Sequence, residues 1–377
     1  MSTSTIQQLA DFGQSVWLDY ISRSLLDTGK LKKLIELGLR GITSNPSIFN
    51  ASIGNTNEYD EQIAKLKAAG RSIFEIYDAL SVKDIQDACD QFVGVYKATK
   101  RLDGYVSLEI NPKLADQTLA SIEEGLRLFK KVGRPNCMIK VPATQEGFPV
   151  IEELIANSVN VNVTLIFSIE QYLEAVQAYF RGLQRAAQKG SDLSVIRSVA
   201  SVFVSRIDTK IDKMLEERIA QSENEAERSK LEFLKGRAAV ANSRLIFECF
   251  KVQFACDEFR ALFDKNANEQ RVLWGSTSTK NPAYKDIKYI TELIAKATIN
   301  TIPAKTLEAF LDHGEVKDAF ACDAKESEEL IVQLRRAAID VDALCLTLLD
   351  EGVIAFEEAF DEMMRSLEKK AAQLSVA

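Results

Sequence analysis

Histidine is almost absent from this chain, which has one, His313, among 377 residues. Histidine is the commonest general acid or base in enzymes, because its charge changes near neutral pH. A Ser-His-Asp or Cys-His site would therefore depend on this one residue. His313 lies in the segment Leu-Asp-His-Gly, which is typical of a helix end before a glycine cap. Catalysis in this chain is expected to use carboxylates, lysine and hydroxyl groups instead.

A metal-binding cysteine motif is also missing. The six cysteines are scattered along the chain, and no two form a Cys-x-x-Cys pair. With a single histidine beside them, they do not make the usual ligand set of a zinc site. We interpret them as buried small apolar side chains in a reducing compartment rather than as a disulfide framework. The sequence therefore predicts a protein without a metal centre.

Long apolar runs and a basic charge balance are lacking as well. No run approaches the roughly 20 apolar residues that a membrane span needs. The start, MSTSTIQQLADFG, lacks the charged and apolar regions of a signal peptide, so we expect a cytoplasmic protein. The 47 basic and 55 acidic residues give a net charge of −8, whereas nucleic-acid binders usually carry basic surfaces. We therefore expect binding to neither nucleic acid nor membranes.

What the chain does contain is a regular alternation of strand-like and helical patterns. The predicted strands cover 15–19, 39–44, 105–110, 136–141, 160–167, 198–205, 271–276 and 297–303. The longer helical patterns cover 30–37, 56–100, 113–131, 168–189, 206–262, 285–296, 304–313 and 326–374. Alternating strands and helices predict a parallel sheet, and eight strands are the number that closes a (β/α)8 barrel. A doubly wound open sheet is the alternative, although no glycine-rich phosphate loop follows the first strand.

The predicted fold class is thus α/β, a (β/α)8 TIM barrel with additional helices. At about 150 residues per domain the length allows two or three domains. No proline- or glycine-rich linker divides the chain, however, so we expect residues 1–377 to form a single barrel domain. Residues 1–14 are expected to form an N-terminal helical segment, and residues 320–377 a C-terminal helical extension packed on the barrel.

Several strands carry an unusual polar face. Side chains alternate across a strand, and in 160–167 this places Asn160, Asn162 and Thr164 on one face, opposite valines. Strands of an ordinary parallel barrel are apolar on both faces. If the valine faces meet the helices, the polar faces point into the barrel.

Three of these polar faces end in a charged residue, namely Asp19, Glu109 and Lys140. Active sites of barrel enzymes lie at the carboxyl ends of the strands. Since an unpaired buried charge is costly, the three side chains are expected to form a mutually satisfied cluster there. Half-exposed antiparallel strands would also alternate, but they do not explain a charge at the end of three strands.

A buried lysine beside two carboxylates suits Schiff-base chemistry. Desolvation lowers the pKa of a lysine amine from about 10.4, so that the neutral amine can attack a ketone. Asp19 and Glu109 are candidates for moving the protons of a sugar hydroxyl and of the water exchanged with the imine. The candidates for orienting a substrate are Thr43, Asn45, Asn162, Thr164 and Ser201.

At these residues the sequence resembles the transaldolase family. The matching segments are WLDYISR (17–23), GITSNPSIF (41–49), VSLEINP (106–112), MIKVPAT (138–144), NVNVTLIFS (160–168) and SVFVSRID (201–208). LWGSTSTKNPAY (273–284) and DEGVIAFEEAFDEMMRSLE (350–368) resemble the longer bacterial and plant-type subgroup. The resemblance runs in order from about residue 5 to 375 and implies a class I aldolase-type barrel without metal or cofactor.

The resemblance implies transfer of a dihydroxyacetone unit in the pentose phosphate pathway. The donors would be sedoheptulose 7-phosphate or fructose 6-phosphate, and the acceptors erythrose 4-phosphate or glyceraldehyde 3-phosphate. Lys140 would form the Schiff base, and Asp19 would act on the C4 hydroxyl. Glu109 would move protons during imine formation with Thr164 and a water molecule. The oligomeric state is expected to be a monomer or a homodimer.

The remaining site residues follow from the same resemblance. Asn45 and Asn162 would hold the dihydroxyacetone hydroxyls, Ser201 would line the pocket and Thr43 would support it. Arg206 matches the phosphate-binding arginine of the family, and an arginine fork suits phosphate geometry.

The second phosphate anchor departs from the family pattern. Shorter transaldolases have Ser-x-Arg-Asn after strand seven, whereas this chain has Ser-Thr-Lys-Asn at 278–281 in a slightly longer loop. Lys280 would replace that arginine, and Ser276 or Ser278 would supply the hydroxyl.

Two residues distinguish this chain from the related fructose 6-phosphate aldolases. These have Gln where this chain has Glu109 and Tyr where it has Phe203, so transfer is favoured over net cleavage. Two other hypotheses remain open. One is a Schiff-base aldolase of another phosphorylated ketose, and the other is a non-catalytic barrel scaffold.

Overall fold

A closed barrel of eight parallel strands forms the centre of the molecule. The computed structural model describes residues 3–54 and 56–374. The strands follow one another in chain order, and the last pairs with the first. They are β1 (Gln14–Asp19), β2 (Gly41–Thr43), β3 (Tyr105–Glu109), β4 (Cys137–Pro142), β5 (Val161–Ile166), β6 (Ser198–Phe203), β7 (Arg271–Gly275) and β8 (Thr298–Ile302). The predicted (β/α)8 TIM barrel of the α/β class is confirmed.

Helices surround the barrel and extend beyond it. They are α1 (Thr5–Phe12), α2 (Arg23–Asp27), α3 (Lys30–Glu36), α4 (Pro46–Phe49), α5 (Asp60–Ala68), α6 (Ile73–Ala98), α7 (Thr118–Val132), α8 (Gly147–Ala156), α9 (Ile169–Gln188), α10 (Ser205–Gln221), α11 (Glu225–Leu234), α12 (Ala238–Phe254), α13 (Asp257–Phe263), α14 (Lys288–Thr291), α15 (Ala304–His313), α16 (Lys325–Arg336) and α17 (Val341–Leu374). Within the described ranges, no helix is both long and apolar enough to cross a bilayer. The segments 1–14 and 320–377 discussed above include residues 1, 2 and 375–377, which lie outside those ranges.

Two long helical predictions are divided by local caps. The segment 56–100 contains α5 and α6, because Gly70 takes a left-handed conformation and Ser72 with Glu75 forms a capping box that starts α6. The segment 206–262 contains four helices, α10 to α13. Two of its three breaks coincide with the N-caps Asn224 and Cys256, and the third contains Gly236 in the left-handed conformation.

The prediction of a helix over 285–296 is wrong for most of its length, since α14 covers only Lys288–Thr291. The carbonyl of Leu293 accepts a hydrogen bond from the Gln14 amide at 2.7 Å. The carbonyl of Ile294 accepts one from the Ala319 backbone N–H at 2.9 Å. Tertiary partners thus occupy carbonyls that a continued helix would use for its own ladder.

The single histidine and the cysteines lie in structural positions typical of their residue types. His313 ends α15, as predicted, and its exposed ring lies 3.2 Å from carboxylate oxygens of Asp286 and Asp312. Cys89, Cys137 and Cys345 are buried, but the expectation of burial is wrong for Cys322, which is exposed.

The barrel interior is divided into layers along its axis. At the amino-terminal end, Arg271 pairs with Asp103 at 2.7 Å and donates to Ser15 at 3.0 Å, so that this buried charge is satisfied. Above this pair lies an apolar cluster centred on Trp17, whose ring passes so close to Gly41 that a Cβ there would lie 2.6 Å from it. Polar side chains fill the carboxyl end. The apolar cluster therefore forms a floor beneath a polar site.

Helix α17 crosses the carboxyl ends of the strands. It contacts α4, α5 and the π-helical turn Asn50–Gly54 on one side and α10 on the other. Three ion pairs connect it to segments that follow different strands, namely Glu351 with Lys210 at 2.6 Å, Asp361 with Lys113 at 2.6 Å and Lys370 with Asp60 at 2.7 Å. The helix thus lies over part of the barrel mouth.

Candidate active site

Lys140 projects from β4 into the polar end of the barrel, and only 6% of its side chain is exposed. Its Nζ donates a hydrogen bond to the Ser44 carbonyl at 3.1 Å and lies 3.8 Å from Oε2 of Glu109. The strand register places Glu109 and Asn162 beside it on the two neighbouring strands. The predicted cluster thus contains a buried amine with a carboxylate just beyond hydrogen-bond distance.

Glu109 is buried in a largely apolar pocket at the end of β3. Burial raises the pKa of its carboxyl to about 7, although the charge of Lys140 acts in the opposite direction. Among the described residues, Glu109 Oε2 and Thr164 Oγ1 are buried oxygens with no hydrogen-bond partner. Since such oxygens are rare in folded proteins, both are available to a substrate or to water.

Asp19 is held at the end of β1. Thr43 on β2 donates a hydrogen bond to its Oδ1 at 2.7 Å, and the Thr43 hydroxyl also lies 2.6 Å from that of Thr301. Burial raises the pKa of Asp19, while Lys140 and the bond from Thr43 act against that increase. Asp19 is thus a carboxyl of fixed orientation that binds a proton more readily than an ordinary aspartate does.

The two predicted asparagines occupy different places. Asn45 lines the pocket and caps α4, because its side-chain oxygen accepts a hydrogen bond from Ile48 N–H at 3.0 Å. Its amide N–H₂ group is left for a ligand. Asn162 is fully buried and is hydrogen-bonded to Ser107 at 3.0 Å and to Ser201 at 2.6 Å. It supports the pocket wall from behind.

These side chains surround a pocket of about 200 Å³ at the carboxyl end of the barrel. The predicted residues that line it are Asp19, Thr43, Asn45, Lys140, Thr164, Ser201, Phe203, Arg206, Ser276 and Lys280. Glu109 lines a neighbouring cavity that shares one wall, the ring of Phe356. Twelve residues proposed from seven separate strand ends are therefore brought to one region, with Asn162 behind it and Glu109 beside it.

The outer part of the pocket is cationic. Arg206 lies in the first turn of α10, which has no side-chain N-cap, and its guanidinium carbon is 5.6 Å from the centre of the Phe203 ring. Burial lowers the pKa of Arg206. Lys280 donates to Ser278 Oγ at 2.8 Å, and Ser276 lies 3.1 Å from Ser205 Oγ. Two cations, hydroxyls and a helix N-terminus together provide an anion-binding surface.

Two strands end in a backbone conformation that ordinary residues rarely adopt. Leu165 has φ of 59° and Ser276 has φ of 54°, both in the left-handed region. Leu165 lies within an irregularity of the β5–β6 pairing and directly follows Thr164. Six other described non-glycine residues share this conformation outside the pocket, so the conformation is not specific to it. Here it accompanies the side chains that line the pocket.

The sequence-based prediction missed Phe356. Its ring centre lies 5.6 Å from Lys140 Nζ and lines both cavities, although it belongs to α17, far along the chain. A weak signal was present, since Gly352, Phe356 and Phe360 are spaced by four residues and so share one helix face. Nothing in the local pattern places that face over the barrel.

The site consists of organic acid, base and amine groups. Among residues 3–54 and 56–374, no three His, Cys, Asp or Glu side chains converge to hold a metal ion. The arrangement can form an imine on Lys140, exchange protons through two carboxyls and bind an anion at its outer end.

The sequence is similar to characterised protein families over its whole length. A family model described as Transaldolase/Fructose-6-phosphate aldolase matches residues 16–367. A protein named Transaldolase from Trichodesmium erythraeum is 42% identical over 378 residues, covering 100% of both chains. Transaldolase 2 from a Nostoc species is 41% identical, again over 100% of both chains. Transaldolase from Saccharopolyspora erythraea is 42% identical over 99% of each chain.

Proposed function

The chain belongs to the transaldolase/fructose-6-phosphate aldolase family, and from this premise we propose how its site transfers a dihydroxyacetone unit between sugar phosphates. It is a transferase with transaldolase function. The proposed donors are sedoheptulose 7-phosphate and fructose 6-phosphate. The proposed acceptors are erythrose 4-phosphate and glyceraldehyde 3-phosphate, in the non-oxidative pentose phosphate pathway.

The observation that carries the proposal is the buried pair of Lys140 and Glu109. The amine lies 3.8 Å from a carboxyl whose pKa is raised to about 7. An acid or base acts best when its pKa lies near the working pH. Such a carboxyl can both give and accept a proton beside an amine that is attacking a ketone.

In the first stage, Lys140 Nζ attacks the C2 carbonyl of the donor. Loss of water from the resulting carbinolamine gives the imine, and Glu109 exchanges the protons through a water molecule positioned with Thr164. The unpartnered oxygens of Glu109 and Thr164 support this role. Asn45 orients the hydroxyls of the dihydroxyacetone unit, while Asn162 and Ser201 shape the wall behind it.

In the second stage, Asp19 takes the proton of the C4 hydroxyl. The C3–C4 bond breaks, its electrons move into the imine to give an enamine, and the aldehyde product leaves. The hydrogen bond from Thr43 orients Asp19 for this step. Addition of the enamine to an acceptor aldehyde, followed by hydrolysis of the new imine, reverses the sequence and completes the transfer.

Arg206 and Lys280 are proposed to bind the substrate phosphate, with Ser276 as a hydroxyl ligand. Both cations line the outer part of the pocket that contains Lys140. An arginine at a helix N-terminus is a favourable phosphate ligand, since the guanidinium fork and the helix dipole act together. The amine thus lies at one end of the bound sugar and the cations at the other.

Trapping of the imine tests this proposal. After incubation with fructose 6-phosphate and borohydride, peptide mass mapping should find a three-carbon adduct on Lys140, and Lys140→Ala should abolish transfer while remaining folded. Lys265→Ala is a suitable control, because this lysine is exposed and lies between α13 and β7. Absence of an adduct on Lys140 would contradict the proposal.

The competing activities have their own tests. Glu109 and Phe203 favour transfer over net cleavage, since the related aldolases have Gln and Tyr at these positions. Rapid release of free dihydroxyacetone without an acceptor would favour an aldolase. A full loss of turnover on every phosphorylated ketose would favour a scaffold.

We also propose the domain organisation, the cellular location and the oligomeric state of the chain. We take residues 1–377 as one domain, in which 1–14 and 320–377 are helical additions to the barrel, acting in the cytoplasm as a monomer or homodimer without binding nucleic acid. Light scattering of the purified protein tests the oligomeric state, and cell fractionation tests the cytoplasmic location.

A further inference from the structure

Helix α17 carries one residue whose burial does not fit its position. The buried face of this helix includes Leu348, Gly352, Phe360 and Met363. Phe356 lies on the same face, four residues from both Gly352 and Phe360, yet it is only half-buried. The neighbours are buried in the core, whereas Phe356 packs only partly against the core and also lines the pocket that contains Lys140.

The helix is held close at this point. A Cβ on Gly352 would lie 3.0 Å from the Leu165 side chain and 3.7 Å from a guanidinium nitrogen of Arg206. Exposed ion pairs of Glu351 with Lys210 and of Asp361 with Lys113 lie on both sides of Phe356 and add a small stabilisation to this packing. The ring therefore has a defined place above the lysine, 5.6 Å from its Nζ.

We propose that Phe356 is a covering residue that keeps bulk water from the enamine, apart from the water molecule positioned by Glu109 and Thr164, and so commits the enamine to an acceptor aldehyde. This rests on the proposed function of Lys140. The wall of the cavity beside Glu109 is otherwise formed mainly by apolar side chains and includes Val353 from the same helix. Excluding water from such a site suppresses hydrolysis of reactive intermediates.

The enamine can react in two ways, and in both the electron pair of its C=C bond forms the new bond at C3. In transfer, its C3 carbon attacks the acceptor carbonyl, and the new alkoxide takes the proton held by Asp19. In hydrolysis, C3 takes that proton instead, giving the imine of dihydroxyacetone. Water then adds to C2, a proton moves to Nζ, and the C–N bond breaks to release dihydroxyacetone and the free amine. Both fates end in hydrolysis of an imine, but only in the second does water add before C3 has bonded to an acceptor.

The test compares the rate of acceptor-free dihydroxyacetone release with the rate of transfer, using fructose 6-phosphate and erythrose 4-phosphate. Phe356→Ala should raise the ratio of release to transfer by about tenfold, equivalent to about 1.4 kcal/mol of relative barrier. Phe356→Leu, which keeps apolar bulk, should raise it less. Ile354→Ala is the matched control, because Ile354 is 54% exposed on the same helix and should leave the ratio unchanged.

The outcomes separate the two proposals. If the wild-type protein gives no borohydride adduct on Lys140, the proposed function fails. If the adduct forms but neither folded Phe356 variant raises the ratio, the covering role alone is wrong. A loss of transfer and release in equal proportion also overturns it, because that result shows only a structural role. Should Phe356→Ala not fold, Phe356→Leu decides.

Discussion

Lys140 Nζ lies 3.8 Å from Glu109 Oε2, and both side chains are more than nine-tenths buried. The register of β3 and β4 makes the two residues direct neighbours, so their approach follows from the sheet itself. Burial has the larger effect on Glu109 and raises the pKa of its carboxyl to about 7. The protonation of this carboxyl therefore changes within the range in which enzymes are usually assayed.

The first prediction concerns the pH dependence of kcat/KM. Below a pH of about 7 Glu109 becomes protonated and can no longer accept a proton, so kcat/KM should fall as the pH is lowered. Glu109→Gln should reduce kcat by roughly 10²–10⁴-fold, the usual contribution of a general acid or base, and should remove this acid limb. If kcat/KM of the Glu109→Gln variant still falls at low pH, a group other than Glu109 causes the fall.

Unfolding measurements provide an independent check on the same carboxyl. Its pKa is raised above the ordinary value of 4.5 in the fold, so ionisation destabilises the folded state. This cost is absent below pH 4.5 and fully present above pH 7. The free energy of unfolding of Glu109→Gln, relative to wild type, should increase between pH 5 and pH 8. No change across this window would mean that the carboxyl titrates normally.

Asp19→Asn should separate imine formation from bond cleavage. Asparagine keeps the shape of the side chain beside Thr43 but cannot take the proton of the C4 hydroxyl. We expect transfer to fall by roughly 10²–10⁴-fold, while Lys140 still traps the donor. After borohydride reduction, mass mapping should show a six-carbon phosphorylated adduct in place of the three-carbon adduct. Asp11→Asn on the exposed face of α1 is the control. A three-carbon adduct in Asp19→Asn would mean that another group removes the proton of the C4 hydroxyl.

Much of the site could be predicted because its residues lie on strands. Alternation along a strand is local, so the inner positions of Asp19, Glu109 and Lys140 could be read from neighbouring residues. Closure of eight parallel strands then brings distant segments together without further information. The family resemblance added the proposed phosphate-binding roles of Arg206 and Lys280, which the alternation does not reveal.

The features that escaped prediction depend on tertiary contacts. Phe356 reaches the site because ion pairs and packing place α17 across the mouth, and no local pattern specifies that path. The end of α14 is set by Gln14 and Ala319, which take the carbonyls of Leu293 and Ile294. The hydrogen bonds of Asn162 to Ser107 and Ser201 are contacts of this kind, and its predicted role in holding a dihydroxyacetone hydroxyl stays a prediction.

The outer cations should act on substrate binding and not on bond cleavage. Arg206→Gln should raise KM for fructose 6-phosphate by roughly 10- to 100-fold, because a hydrogen bond to a charged group contributes about 1.5–3 kcal/mol. Lys280→Gln should have a smaller effect, since this side chain lies in a more open loop. Lys285→Gln is the exposed control. Steady-state rates with fructose 6-phosphate and with unphosphorylated fructose distinguish phosphate binding from a general effect on activity. An equal loss of activity on both substrates contradicts phosphate binding.

The floor of the barrel gives a prediction about stability alone. A Cβ on Gly41 would lie 2.6 Å from the Trp17 ring, which is fully buried in the apolar layer. Gly41→Ala should therefore lower the free energy of unfolding by about 1–3 kcal/mol, the usual cost of overpacking. Gly94 is its matched control, because it lies within α6 with nothing within 4 Å of a new Cβ. Gly94→Ala should instead stabilise the fold by about 0.4–1 kcal/mol. Chemical denaturation of both variants measures these changes, and a neutral Gly41→Ala would show that Trp17 can move without loss of packing.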